Sequence, residues 1–176
     1  SMPVRDLDSF LANGGLNATF VGNRGASGID GIISTGLGLA SCQDGPVVVY
    51  TGDLALLHDL TGLASAARLG LHPTIVCIDN DGGGIFSMLP IAEGDRGIDV
   101  ETLFRTPHGI DLTGLDGFAG IRASTIDGDA DIGDAVKAAI ASDKLGVDLL
   151  IVPVDRDADV AQRRAITAAV GEALAQ

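Results

Sequence analysis

Two short polar clusters, each placed at the end of an apolar run, carry the chemistry of this sequence. The run from Pro46 to Tyr50 delivers Gly52-Asp53-Leu54, and the run from Thr74 to Ile78 delivers Asp79-Asn80-Asp81 followed by Gly82-Gly83-Gly84. Asp53 and Asn80 offer hard oxygen donors of the kind Mg²⁺ prefers. The Gly82 carbonyl is a natural third donor, because glycine permits the sharp turn that would aim it inward. Mg²⁺ takes about six oxygens, and water or phosphate commonly supplies those the protein does not. A glycine-rich turn suits phosphate oxygens, as do the N–H groups at the start of a helix after Gly52. Taken singly, Asp53 reads as an N-cap and Gly82–Gly84 as a turn. Together they describe a site for a magnesium–diphosphate cofactor.

Such a site exists only if one sheet edge brings the two clusters together. Between them Leu56, Leu57, Leu60, Leu63, Ala64 and Ala67 recur at helical spacing, which predicts one helix ending at Gly70. The unit is then strand–helix–strand, with both clusters at strand C-terminal ends, where open α/β sheets bind ligands. Thr74–Ile78 shows no polar alternation, as expected of a parallel strand covered on both faces. Further strands are expected at Ala18–Gly22, Gly120–Ile126 and Val147–Val154. Helices are expected at Pro3–Asn13, Ile29–Ser41, Ala130–Ala141 and Asp157–Ala175, with short ones at Asp99–Phe104 and Leu112–Ala119. The alternation predicts an α/β, three-layer sandwich: a mostly parallel sheet with helices on both faces and right-handed crossovers.

Composition narrows the partners. A chain of 176 residues with 46% hydrophobic content is expected to form one packed domain rather than a disordered segment. Its net charge of −13 argues against nucleic acid, which needs clustered Lys and Arg. No apolar run reaches the roughly 18–20 residues of a membrane span, so no membrane insertion is expected. No leader sequence is visible, and a cytoplasmic location is expected. Cys77, inside an apolar strand, is expected to be a buried free thiol.

The order Gly52-Asp53-Leu54, residues 55–78, then Asp79-Asn80 resembles the diphosphate-binding motif of thiamine diphosphate enzymes, usually written GDG and NN about two dozen residues apart. Leu54 stands where the motif has its second glycine and Asp79 where it has its first Asn, and neither change removes a metal ligand. Four longer stretches are similar to one branch of that family, the SEPHCHC synthases of menaquinone biosynthesis. They are Asn23–Gly31, Gly52–Leu60, Asn80–Ser87 and Phe104–Gly109, in the family's order. The resemblance implies that Asp53, Asn80 and Gly82 hold Mg²⁺, with Mn²⁺ as a substitute, and that Gly52, Leu54, Ala55, Gly84 and Ile85 contact thiamine diphosphate. Ile29 would prop the cofactor's bent conformation. Ser1, Arg5, Arg24, Phe86 and Leu89 would face the substrates 2-oxoglutarate and isochorismate, the planar arginine forks binding carboxylates. The implied reaction is a transferase reaction: decarboxylation of 2-oxoglutarate and conjugate addition of the succinyl unit to isochorismate.

The resemblance also implies a missing half. Family members activate the cofactor with a glutamate from a pyrimidine-binding domain, contributed across the interface of a homodimer or homotetramer. Residues 1–176 correspond to the diphosphate-binding domain alone, so no catalytic residue is expected within the chain and the fragment is expected to be inactive. Another thiamine diphosphate enzyme, such as an oxo-acid decarboxylase or an acetolactate synthase-like protein, would share the metal motif. A non-catalytic diphosphate-binding module would share it too. His58 and His108 fall in matching motifs without an assignable proton-transfer role, and structural hydrogen bonding is expected of them.

Overall fold

The computed structural model of the chain describes residues 2–11, 17–23, 28–93, 97–128 and 130–175. Four strands form its sheet: β1 (Val48–Gly52), β2 (Thr74–Asp79), β3 (Ile121–Thr125) and β4 (Val147–Pro153). Their spatial order is β1-β2-β4-β3, and every neighbouring pair is parallel. Gly52 lies opposite Ile78 in the register, so Asp53 and Asn80 both emerge at the same C-terminal edge. The five α-helices are α1 (Met2–Phe10), α2 (Ile32–Ala40), α3 (Asp53–His58), α4 (Ile132–Ile140) and α5 (Arg156–Leu174).

Side-chain alternation along buried parallel strands sends successive residues into opposite layers. Ile75, Cys77, Leu149 and Ile151 pack with Ile33 and Leu37 of α2, with Leu56 of α3 and with Leu63. Val76, Leu150 and Val152 pack on the other face against Ala135, Val136 and Ala139 of α4. The expected three layers are therefore present. On the first face α2 rides directly on β1, since a Cβ at Gly36 would collide with Val49. Cys77 is buried and free, and burial pushes its thiol pKa up, which leaves it unreactive.

The structure corrects two expectations. The helix after β1 is not continuous to Gly70: α3 stops at His58, and a 3₁₀ segment, Leu60–Ser65, follows. The break falls at Asp59, whose carboxylate accepts the Ser34 N–H at 2.6 Å and the Ser34 hydroxyl at 2.8 Å. This tertiary contact from α2, with Thr61-Gly62 poor helix formers, overrides the periodic pattern. Ala18–Gly22 is not a strand either. Phe20 and Val21 would face opposite ways in an extended chain, yet they are 56% and 57% exposed, so no layer covers either side. The expected short helix Leu112–Ala119 is two 3₁₀ segments, Leu112–Leu115 and Phe118–Gly120, and that at Asp99–Phe104 is a single wide turn, Glu101–Arg105; the remaining elements match to within a few residues. The described residues include no helix long and apolar enough to cross a membrane.

At the opposite, N-terminal edge of the strands a polar network ties β2, β3 and β4 together. Asp148 accepts from Arg122 Nε at 2.7 Å and lies 2.7 Å from His72 Nε2, while Arg122 Nη1 donates to the Leu145 carbonyl at 2.8 Å. Burial alone would raise the Asp148 carboxyl, but Arg122 and His72 hold it below the usual carboxylate range. A carboxyl so depressed stabilises the fold fully above the ordinary pKa of about 3.9, and the contribution is lost as pH falls through the lower folded value. Arg122→Ala is therefore expected to cost on the order of 1–3 kcal/mol at neutral pH. Urea denaturation at pH 7 and at pH 3 checks this: the difference from the unaltered chain should shrink at the acidic end.

No residue of the 19-residue α5 is fully buried, and Arg156, Asp159, Val160 and Arg163 are half-buried. Ion pairs hold it instead: Arg163 with Asp6 of α1 at 2.6 Å, Arg156 with Glu101 at 2.9 Å and Arg164 with Glu93 at 3.2 Å. Arg163 also lies 5.9 Å from the Phe10 ring centroid, a cation–π distance.

Candidate functional site

Asp53 opens α3 directly behind the extended Gly52 and is only 3% exposed. A buried carboxylate must be hydrogen-bonded or paired, and the second cluster supplies the donors. Asp53 Oδ2 accepts the Gly82 N–H at 2.8 Å and the Asn80 N–H at 3.3 Å, so the turn after β2 folds over the carboxylate. Oδ1 accepts the Leu54 N–H at 2.6 Å. The turn that carries Asn80 and Gly82 thus meets Asp53 through its backbone N–H groups. The Gly82 carbonyl also accepts the Gly84 N–H at 3.0 Å, and its second lone pair keeps acceptor capacity. The Asn80 amide lies against Gly84, where a Cβ would strike it.

A third segment joins them. After the single wide turn Glu101–Arg105, the loop 106–110 lies across the glycine turn. The Arg105 carbonyl accepts the Gly83 N–H at 2.6 Å. Asp81 Oδ1 accepts the N–H groups of His108 at 3.0 Å and Gly109 at 2.7 Å. The His108 ring reaches Asp53 Oδ2 at 3.2 Å and stands 3.8 Å from Asp79. Asp53, Asp79 and His108 therefore bring ligand atoms within 4.8 Å of one another. Burial raises the Asp79 carboxyl above the usual range. Asp53 adds to the rise, and the Asp81 N–H and His108 oppose it.

Asp53 and the adjoining turn that carries Asn80 and Gly82 offer hard oxygen donors, and the chemistry of that donor set fits Mg²⁺. Among the contact residues, Leu54 is half-buried and Ala55 is buried at the start of α3, and Gly84 and Ile85 begin the 3₁₀ segment Gly84–Met88. Phe86 sits in that segment edge-on to Phe104, with ring centroids 5.6 Å apart, and Leu89 is 42% exposed just beyond it. Ile29 is half-buried ahead of α2. Arg5 lies apart from the Asp53 cluster's hydrogen bonds, in a groove of about 470 Å³ between α1 and α5 that Met88 also lines. Ser1 and Arg24 lie outside the described residues. The diphosphate was expected at the N–H groups of a long helix, but α3 has six residues. His58, at its end, is exposed.

Sequence reasoning left His108 without a partner and gave Asp79 no role. The loop motif around His108 was visible, but its convergence on Asp53, 55 residues earlier, was not.

Comparison with known proteins agrees with this arrangement. Residues 5–148 match the family model described as thiamine pyrophosphate enzyme, C-terminal TPP binding domain. A 2-succinyl-5-enolpyruvyl-6-hydroxy-3-cyclohexene-1-carboxylate synthase of Myxococcus xanthus is 42% identical over the entire chain, and one of Chloroflexus aurantiacus is 45% identical over the entire chain. The chain spans 29% of the length of each of these relatives. Among solved structures, the thiamine diphosphate-dependent 4-hydroxybenzoylformate decarboxylase of Rhodococcus jostii RHA1 superposes with a TM-score of 0.53 at 23% identity. That match covers 70% of this chain and 22% of that one, and it supports the fold alone. The parallel sheet, the paired clusters at its C-terminal edge and the family match together mean that the chain belongs to the C-terminal TPP-binding domains of the thiamine pyrophosphate enzymes.

Proposed function

We propose that this chain is the diphosphate-binding domain of a SEPHCHC synthase, a transferase that takes 2-oxoglutarate and isochorismate in menaquinone biosynthesis. The observation that carries the reading is the folding of the Asn80–Gly84 turn over the Asp53 carboxylate at the sheet's C-terminal edge. The whole-chain similarity to proteins named as that synthase selects it among thiamine diphosphate enzymes. Asp53, Asn80 and the Gly82 carbonyl would hold Mg²⁺, or Mn²⁺ in its place. Gly52, Leu54, Ala55, Gly84, Ile85 and Ile29 would contact the cofactor. Thiamine diphosphate, when bound, supplies the carbon nucleophile and electron sink that decarboxylation and addition need.

The chain's own residues do the rest. Asp53 and Asn80 would hold the cation, whose positive charge would offset that of the diphosphate. Phe86, on the 3₁₀ segment beside the metal turn, and Leu89, just after it, present apolar surface that excludes water from the reacting face. Arg5, Arg24 and Ser1 serve the substrate carboxylates, for which a guanidinium fork is suited. The activating glutamate is to be contributed by another domain across a homodimer or homotetramer interface.

The test is product analysis by mass spectrometry. A protein carrying this chain together with a pyrimidine-binding domain should convert 2-oxoglutarate and isochorismate into the succinylated cyclohexene product, while the 176-residue chain alone should form none. A product built from pyruvate instead, or turnover by the chain alone, would overturn the reading.

A further inference from the structure

The His108 ring is 8% exposed and is built into the metal turn from both of its nitrogens. The Ile110 N–H donates to Nδ1 at 3.0 Å, so Nδ1 is an acceptor. With Nδ1 accepting, Nε2 is the ring nitrogen that carries a proton, and it stands 3.2 Å from Asp53 Oδ2, to which it donates. With the Gly82 and Asn80 N–H groups, this puts three donors on Oδ2 and one, Leu54 N–H, on Oδ1. The carboxylate is held by one oxygen, and the other keeps lone-pair capacity for a cation. The backbone around His108 is itself fastened to the same turn, through Asp81 and the Arg105 carbonyl.

We propose that His108 is a positioning residue for the metal site: its Nε2–H fixes the orientation of Asp53, and the loop 105–110 acts as the clasp that fixes His108. Outer-shell donors of this kind set the direction of a ligand's lone pairs, and losing one commonly costs about 10–100-fold in metal affinity. This inference rests on the reading of Asp53 as a Mg²⁺ ligand.

The experiment measures free Mn²⁺ by electron paramagnetic resonance in the presence of thiamine diphosphate. The unaltered chain, Asp53→Ala, His108→Phe and His108→Gln are compared. Asp53→Ala tests the metal reading. His108→Phe, which lacks the donor, is expected to weaken Mn²⁺ about 10–100-fold. His108→Gln carries an amide N–H where Nε2 stood and should bind within about threefold of the unaltered chain, a rescue that a merely structural role would not produce. Asp53→Ala losing Mn²⁺ while His108→Phe keeps it would overturn the positioning role and leave the metal site standing. A second measurement is independent of folding in the variants and of metal binding. Long-range ¹H–¹⁵N spectra of the unaltered chain should show the proton of His108 on Nε2, and a proton on Nδ1 would overturn the inference by itself.

Discussion

Asp53→Asn is expected to abolish Mg²⁺-dependent binding of thiamine diphosphate while leaving the chain folded. The amide oxygen can still accept the Gly82 N–H that now reaches Oδ2 at 2.8 Å, so the turn keeps its anchor. What disappears is the negative charge, and with it the strongest ligand for a hard dication. The loss should exceed the roughly 10–100-fold typical of removing an outer-shell partner. Calorimetric titration with thiamine diphosphate, with and without Mg²⁺, measures it. Unchanged affinity in Asp53→Asn would remove the metal assignment. Asp53→Ala should lose binding equally and also lose stability, because the buried N–H of Gly82 and that of Asn80 are left without their acceptor at about 1–3 kcal/mol each.

Gly82→Ala is expected to be the most damaging single methyl group at the site. Gly82 has φ +129°, a conformation only glycine adopts readily, and a Cβ there would run into the Arg105 carbonyl oxygen. Backbone strain of this kind costs about 1–3 kcal/mol and overpacking a similar amount. A total of about 2–6 kcal/mol corresponds to a drop of roughly 4–24 °C in Tm for a domain of this size. The clasp would also be pushed off the turn, so cofactor binding should fall with stability. Gly114→Ala is the control: its Cβ meets nothing within 4 Å, and its Tm should stay within about 2 °C of the unaltered chain. Thermal melts of both variants decide the point, and an unshifted Tm in Gly82→Ala would contradict the geometry.

Period and spacing made much of this legible. Unbroken apolar runs placed β2 and β4, and the register Gly52–Ile78 then forced Asp53 and Asn80 to one edge. Local chemistry was enough, because each cluster follows its strand immediately. What could not be read depends on contacts distant in sequence. Nothing near Asp59 announces that Ser34 will capture its carboxylate and interrupt a helical pattern. The apolar Ala18–Gly22 stretch has strand composition, but composition does not say whether a neighbour will cover it. His108 was visible as a motif residue and silent as a ligand partner, since its meaning lies in the Asp53 and Asp79 carboxylates of other segments. Arg5 is a further case: its residue type suited a carboxylate, but its place in the groove between α1 and α5 could not be read from residues near it.

The manner in which α5 is attached has a consequence for how the domain opens. A helix with no fully buried residue has little apolar area to lose on leaving, so its local unfolding free energy falls below that of the sheet. Its amides exchange with solvent by that local route, ahead of those in β2 and β4. Because Asp6, Glu101 and Glu93 hold it by charge, added salt loosens α5, while the apolar contacts of β2 and β4 are not screened. The domain thus has an outer element held by charge over a sheet held mainly by apolar packing.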